Sequence, residues 1–330
     1  MKLKDIAEMT GVSMSTVSRV LNDPYSTAAG PEKKKEIWEI VQKSGYIPNR
    51  EAKILKSGAS VNSGKVICCM LATETEEYQN DPFYSTLVSA IRTEGLKQGY
   101  TVEYYFHDRP EKSTRDPEKA EGLIIIGRFN PEILKSLGCV FKNIIYVGLN
   151  RIEARCDRII CDGGEAVAGL VRTLYDSGHR KIAYIGVGSD TRLDGFLSGC
   201  RSCGISPERS AFIRGRALTA NLGYDMMNRV AETGGFTAVI CGNDITAIGA
   251  LKTCSERKIR VPEDISLVGM DDIEMTRYVT PALSTIHVPM DEMASMAVKL
   301  IRDRAEGGHS NHVEIRFPYW LVKRGSGPNG

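Results

Sequence analysis

Two sets of side chains in this sequence have the types and spacing to do chemistry. The first is Met14, Ser15, Ser18, Arg19 and Asn22, which share one side of residues 14–22 if that segment is helical. Hydroxyls with one guanidinium and one amide suit a nucleic-acid groove. Arginine can donate two hydrogen bonds to guanine, while hydroxyls and helix N-terminal amides hold phosphates. The same spacing would also serve a helical hairpin in another kind of domain. The second set follows short apolar runs: Phe83 and Tyr84, Arg192, Asn243 and Asp244, Asp271 and Asp272. Carboxylates, an amide, a guanidinium and aromatic faces converging on one cleft match a polyol, whose paired hydroxyls take bidentate partners and whose apolar face stacks on a ring. Asp244 and Asp272 would serve equally well as helix caps.

The first set needs a compact helical unit to hold it out. Leu3, Ile6, Ala7 and Met9 fall at helical spacing, and the run stops at Thr10-Gly11. Gly11 supplies the left-handed residue that swings one helix across another. Ser13 can cap the next helix, whose Val17, Val20 and Leu21 pack inward at i, i+3 and i+4. A third helix would turn Ile37, Trp38, Ile40 and Val41 inward and end at Gly45-Tyr46-Ile47-Pro48-Asn49. Residues 49–57 then read as a short helix and 58–64 as a soft linker, giving a headpiece over 1–48 and a hinge and linker over 49–64.

The second set needs parallel sheets. From Lys65 onward, apolar runs at 66–71, 122–126, 143–147, 181–185, 238–241 and 265–268 alternate with longer amphipathic segments. Continuous apolar strands separated by helices predict sheets covered on both faces, and this many units predict two α/β lobes. Ligands collect at the carboxyl ends of such strands. At 330 residues the chain has room for these units, and 42% hydrophobic with 25% charged residues is an ordinary globular composition.

Composition also narrows the function. No apolar run reaches the ~20 residues of a membrane span, and no signal-peptide core follows Met1-Lys2-Leu3-Lys4, so a cytoplasmic protein without membrane association is expected. The net charge is +2, with ten Lys/Arg against seven Asp/Glu in residues 1–58. Nine cysteines include one Cys-x-x-Cys, Cys200 to Cys203, without a second pair or a suitably spaced histidine, so reduced thiols and no metal are expected. His179 stands alone before a strand and is read as structural. Without a phosphate loop or a Gly-x-Ser-x-Gly motif, no enzyme and no cofactor is expected.

Long motifs resemble one family. Asp5-Ile6-Ala7, Gly11-Val12-Ser13, Thr16-Val17-Ser18-Arg19-Val20-Leu21-Asn22 and Gly45-Tyr46-Ile47-Pro48-Asn49 resemble the headpiece signature of the lactose/galactose repressor family of bacterial transcription regulators. The likeness continues through Ser177-Gly178-His179-Arg180-Lys181-Ile182, Val261-Pro262-Glu263-Asp264-Ile265-Ser266 and Thr280-Pro281-Ala282-Leu283-Ser284-Thr285-Ile286. It implies a helix-turn-helix headpiece with a hinge helix, then a two-lobed sensor of periplasmic-binding-protein type over 65–330. The implied N-lobe covers about 65–160 and 289–318, and the C-lobe about 161–288 and 319–330. By the resemblance Met14, Ser15 and Arg19 read bases, Ser13, Thr16, Ser18, Asn22 and Asn49 touch phosphates, and Leu55 with Ala52 wedges into the minor groove. Leu55 as a plain linker residue is the other reading. Arg192, Asn243 and Asp271 match effector contacts, Phe83 or Tyr84 lines the mouth, and Asn150 stands where many members carry an acidic residue. Residues 121–128 look most like the β-galactoside-operon repressors.

The resulting expectation is a homodimeric repressor of carbohydrate-utilisation genes, bound to a near-palindromic operator and controlled by a small sugar, with a galactoside as the specific expectation. A regulator of a non-sugar metabolite such as a nucleobase, or one that needs a corepressor, is the alternative. A sugar-transport binding protein would share the two lobes but need an export signal and no headpiece.

Overall fold

The computed structural model describes residues 3–22, 28–30, 32–34, 36–37, 40, 65–72, 78, 80–106, 119–128, 132–188, 190–206, 212–215 and 217–328. The chain divides into two units, residues 1–59 and 60–330.

In the first unit, α1 (Leu3–Thr10) and α2 (Met14–Asn22) form the helical pair. The Thr10 hydroxyl donates back to the Ile6 carbonyl at 2.7 Å, and Gly11 follows with φ +66°, a conformation that costs a residue with a Cβ. Ser13 then starts α2, its Oγ accepting from the Thr16 amide at 3.1 Å. Ile6, Ala7, Val17, Val20 and Ile37 form the buried core, with Val12, Ala29 and Ile40 packed on it. Met9 departs from the expected inward set and is 58% exposed. Trp38, Val41 and the hinge residues lie outside the described residues.

The second unit holds two six-stranded sheets. The first contains β1 (Val66–Leu71), β2 (Thr101–Phe106), β3 (Ala120–Ile126), β4 (Ile144–Gly148) and β5 (Asp157–Ile160). Helices α3 (Pro82–Lys97) and α4 (Glu132–Leu137) connect them. The second sheet contains β6 (Ile182–Val187), β7 (Phe212–Gly215), β8 (Ala238–Cys241), β9 (Ser266–Asp271) and β10 (Ser284–His287). Its helices are α5 (Gly163–Asp176), α6 (Thr191–Ser202), α7 (Ala220–Thr233) and α8 (Asp244–Glu256). Last come α9 (Met290–Ala305), β11 (Glu314–Arg316) and β12 (Trp320–Val322).

Strand order is β11-β5-β4-β3-β1-β2 in one sheet and β12-β10-β9-β8-β6-β7 in the other, parallel except where β12 joins β10. The chain passes between lobes three times. β5 gives way to α5, which packs on α6. β10 gives way to α9, which packs on α3, and β11 gives way to β12. Both sheets reverse their order beside their first strand, between β1 and β3 and between β6 and β8. Such switch points open a crevice at the carboxyl ends of the strands.

Helix packing relies on one close approach. A Cβ on Gly195 of α6 would meet the backbone of Gly164 in α5, so only glycine lets these helices lie this near. Beneath them Ile182, Tyr184 and Phe196 are buried, with the Tyr184 and Phe196 rings stacked at 5.5 Å.

Candidate functional site

The α2 surface comes first. Met14 is 51% exposed, and Ser13, Ser15 and Arg19 are exposed while Thr16 is half-buried. Ser13 Oγ lies 2.7 Å from Ser15 Oγ and 2.9 Å from Thr16 Oγ1, so three hydroxyls cluster at the start of the helix. Hydroxyls beside unpaired N-terminal amides can grip a phosphate, and Arg19 stands a turn further on. Of Ser18 and Asn22 the described structure gives only the helical backbone. Asn49, Ala52 and Leu55 lie outside the described residues.

The second site is a narrow cleft between the lobes, with a cavity volume of about 30 Å³. Phe83, Tyr84, Asn150, Arg192, Asn243 and Asp271 all line it, drawn together from residues up to 188 apart because each follows a strand at a switch point or its neighbour. Sequence reasoning missed Asp81, Gly127, Arg128, Gly148, Leu149 and Leu218, which line it too. Asp81 lies in the run Asn80-Asp81-Pro82, and an aspartate before a proline at a helix start is a legible cap signal.

The aromatic wall comes from α3. Phe83 is buried and Tyr84 half-buried, their rings edge to face at 5.3 Å. Leu149 and Leu218 add apolar surface.

The polar wall is more tightly wired than the sequence suggests. Asp190, itself absent from the expected set, caps α6 by accepting from the Arg192 amide at 3.0 Å. It also accepts from Arg192 Nε at 2.9 Å and from Arg192 Nη2, while Arg192 Nη1 donates to the Gly242 carbonyl at 2.5 Å. Arg128 reaches the same carboxylate at 3.4 Å. Burial alone would raise the Asp190 pKa, but the Arg192 charge and hydrogen bonds outweigh it and hold the carboxyl below its usual range. Arg192 therefore reaches the cavity with most of its fork already engaged.

Asn243, and not Asp244, caps α8. Asp244 instead lies buried, accepting from Thr285 Oγ1 at 2.6 Å and the Ile273 amide at 3.0 Å. Asp272 pairs with Arg324 at 2.5 Å and with His287 at 2.9 Å. Neither Asp244 nor Asp272 lines the cavity. His179 shares a hydrogen bond with Thr237 at 2.9 Å and stands away from it, and burial lowers its pKa.

Asp271 is the chemically distinctive residue. It has φ +113°, is 2% exposed, and its Oδ1 is buried without a hydrogen-bond partner. Burial, then the charges of Asp81 and Asp244, push its pKa well above the usual carboxylate range, against the pull of Arg192. A folded-state pKa raised above the unfolded value adds stability at low pH that is lost as pH rises through the folded pKa. Asp271→Asn removes that loss. Its melting temperature relative to the parent is expected to rise from pH 5 to pH 8, and a constant difference across that range would show that Asp271 is ionised throughout.

Among the described residues no group of His, Cys, Asp and Glu could hold a metal ion, and no helix is long and apolar enough to cross a membrane.

A helix-turn-helix unit followed by a two-lobed α/β sensor with a polar cavity between the lobes defines a ligand-responsive DNA-binding regulator. The chain belongs to the lacI family of bacterial regulatory proteins. Residues 2–49 match the model described as bacterial regulatory proteins, lacI family, and residues 171–327 match a periplasmic binding protein-like domain. It is 31% identical to the HTH-type transcriptional repressor PurR of Proteus mirabilis (strain HI4320) over 346 residues, covering 99% of this chain and 97% of the relative. Among solved structures, the CelR–cellobiose complex superposes with TM-score 0.71 at 20% identity, covering 99% of this chain and all of that one. The lac repressor dimer bound to operator and the anti-inducer ONPF gives TM-score 0.66 at 24% identity, covering 99% and 98%. The protein is thus a sequence-specific, effector-controlled transcription factor and not an enzyme. The expected likeness to β-galactoside-operon repressors is overturned, because these curated relatives, 30% and 31% identical over 97% of their own length, are HTH-type transcriptional repressors PurR. Short stretches such as residues 121–128 are strand sequence, where apolar runs look alike across a family.

Proposed function

We propose that the interlobe cavity binds a small nucleobase-like metabolite and that its occupancy sets operator affinity. The observation that carries this is Asp271 Oδ1, a buried acceptor without a partner in a cavity that also offers the Phe83–Tyr84 pair and two leucines. A flat heterocycle stacks on such rings while its N–H groups donate to the carboxyl. The likeness to PurR-type repressors supports the same ligand class. A sugar is the second reading. It is favoured by the polar share of the lining, Asp81, Arg128, Asn150 and Asn243, and by the CelR complex with cellobiose.

In this reading residues 1–48 are the headpiece, 49–64 the hinge and linker, and 65–330 the sensor, working as a cytoplasmic homodimer on a two-half operator. Met14, Ser15 and Arg19 read bases. Ser13, Thr16, Ser18, Asn22 and Asn49 hold phosphates, and Leu55 with Ala52 kinks the minor groove. The ligand acts by unequal affinity for two lobe arrangements.

Calorimetric titration of the full chain with hypoxanthine, guanine and adenine, beside ribose, glucose and cellobiose, tests the ligand class. A nucleobase is expected to bind, raise the melting temperature and shift operator affinity. A sugar doing all three while no base binds would overturn the proposal in favour of the second reading.

A further inference from the structure

Asp81 and Asn243 are 162 residues apart and belong to different lobes. Each caps a helix aimed at the cavity. Asp81 Oδ1 accepts from the Phe83 amide at 3.0 Å at the start of α3, and Asn243 Oδ1 accepts from the Thr246 amide at 2.9 Å at the start of α8. Their remaining ends meet: Asn243 Nδ2 donates to Asp81 Oδ2 at 2.8 Å. Both residues are buried, at 6% and 1% exposure. One carboxylate therefore lies between the positive N-termini of two helices from opposite lobes.

Other pairs among the described residues also cross between the lobes, among them Arg151 with Asp162 beside the first crossover. Arg128 meets Asp190 at 3.4 Å, and the Thr191 hydroxyl donates to Asn150 Oδ1 at 2.9 Å. Arg128 and Asn150 are half-buried, so water competes for those contacts. The Asp81–Asn243 bond joins two buried side chains, and a hydrogen bond to a charged acceptor is among the stronger single contacts.

The geometry points to Asp81 as a positioning residue that, through Asn243, sets how readily the two lobes separate. Asn243 serves the site by joining the two helix starts, since one end of its amide is committed to its own helix and the other to Asp81. The regulatory meaning of this latch rests on the cavity being the control site, but the latch itself is testable with no ligand.

Hydrogen exchange of the full chain, with no small molecule added, reads lobe opening at the cleft ends of the strands, residues 126–128 and 148–150. Asp81→Asn keeps an oxygen for the Phe83 amide but sets amide against amide. Asn243→Asp keeps the Thr246 cap but sets carboxylate against carboxylate. The double exchange, Asp81→Asn with Asn243→Asp, restores donor facing acceptor with the roles reversed. Each single variant is expected to exchange about ten-fold faster there, and the double at least about three-fold slower than either single. Asp81→Ser, which still caps but cannot span the gap, is expected to behave like Asp81→Asn. Singles that exchange like the parent, or a double that exchanges like the singles, would overturn the latch. A role confined to each residue's own helix predicts no rescue. If the latch behaves as expected while neither bases nor sugars bind the parent chain, the latch stands and the proposed ligand falls.

Discussion

Arg192→Ala is expected to destabilise the sensor by about 3–5 kcal/mol, the usual result of stripping one partner from a buried ion pair. Asp190 is 3% exposed and Arg192 5% exposed, so neither can turn to water when the other is lost. Arg128 softens the loss, because its 3.4 Å contact leaves Asp190 some neutralising charge. Two controls separate charge from packing. Arg192→Lys keeps a cation but cannot send one nitrogen to Asp190 and another to the Gly242 carbonyl, so it should fall between parent and alanine. Asp190→Ser with Arg192→Met removes both charges while retaining a cap for α6, and should recover much of the loss. Urea unfolding of the four proteins gives the comparison. A loss below about 1 kcal/mol for Arg192→Ala would mean that the guanidinium is not structurally committed. It would then be free to serve a ligand.

The second large effect is at the other end of the chain. Arg19→Ala is expected to weaken operator binding by about 1–3 kcal/mol and to relax base preference at one position of each half-site. Arg19 is exposed on α2, on the far side from Val17 and Val20, which lie in the buried core, so its truncation should leave the unfolding free energy within about 0.5 kcal/mol of the parent. Binding measured at two salt concentrations distinguishes readout from charge. A lost phosphate contact would flatten the salt dependence and weaken all duplexes alike, whereas a lost base contact narrows the gap between operator and unrelated DNA. Equal weakening on every duplex would remove Arg19 from the base readers.

The cavity was partly legible in the sequence for a physical reason. In parallel sheets the residues after each strand converge, so Phe83, Tyr84, Arg192, Asn243 and Asp271 could be named from their places, while Asn150 came from the family resemblance. What could not be read was how they spend their hydrogen bonds. Asp190 and Arg192 are two apart, but their pairing depends on the cap geometry of α6, and Asp81 finds Asn243 only after both lobes have formed. Asp244 shows the same limit, since its place beside a cap residue conceals bonds to Thr285 and Ile273, which a different chain segment supplies.

The fold followed the same division. Six strands announced themselves as buried apolar runs. β2 did not, because it lies at a sheet edge and alternates exposed with buried residues, and β11 and β12 are three residues each. In the headpiece, the spacing that placed Ile6, Ala7, Val17 and Val20 inside also swept in Met9, which a helix of eight residues leaves at its solvent edge.

If the proposed function holds, the α2 surface recognises one DNA sequence under the control of the interlobe cavity. The most direct measurement is enrichment of duplexes from a random pool by the full chain, followed by titration of the selected duplex with and without a compound shown to bind the cavity. One two-half sequence should dominate the selected pool, and cavity occupancy should change its affinity at least about ten-fold, a coupling of about 1.4 kcal/mol. A pool that stays random, or an affinity that the bound compound leaves untouched, would contradict it.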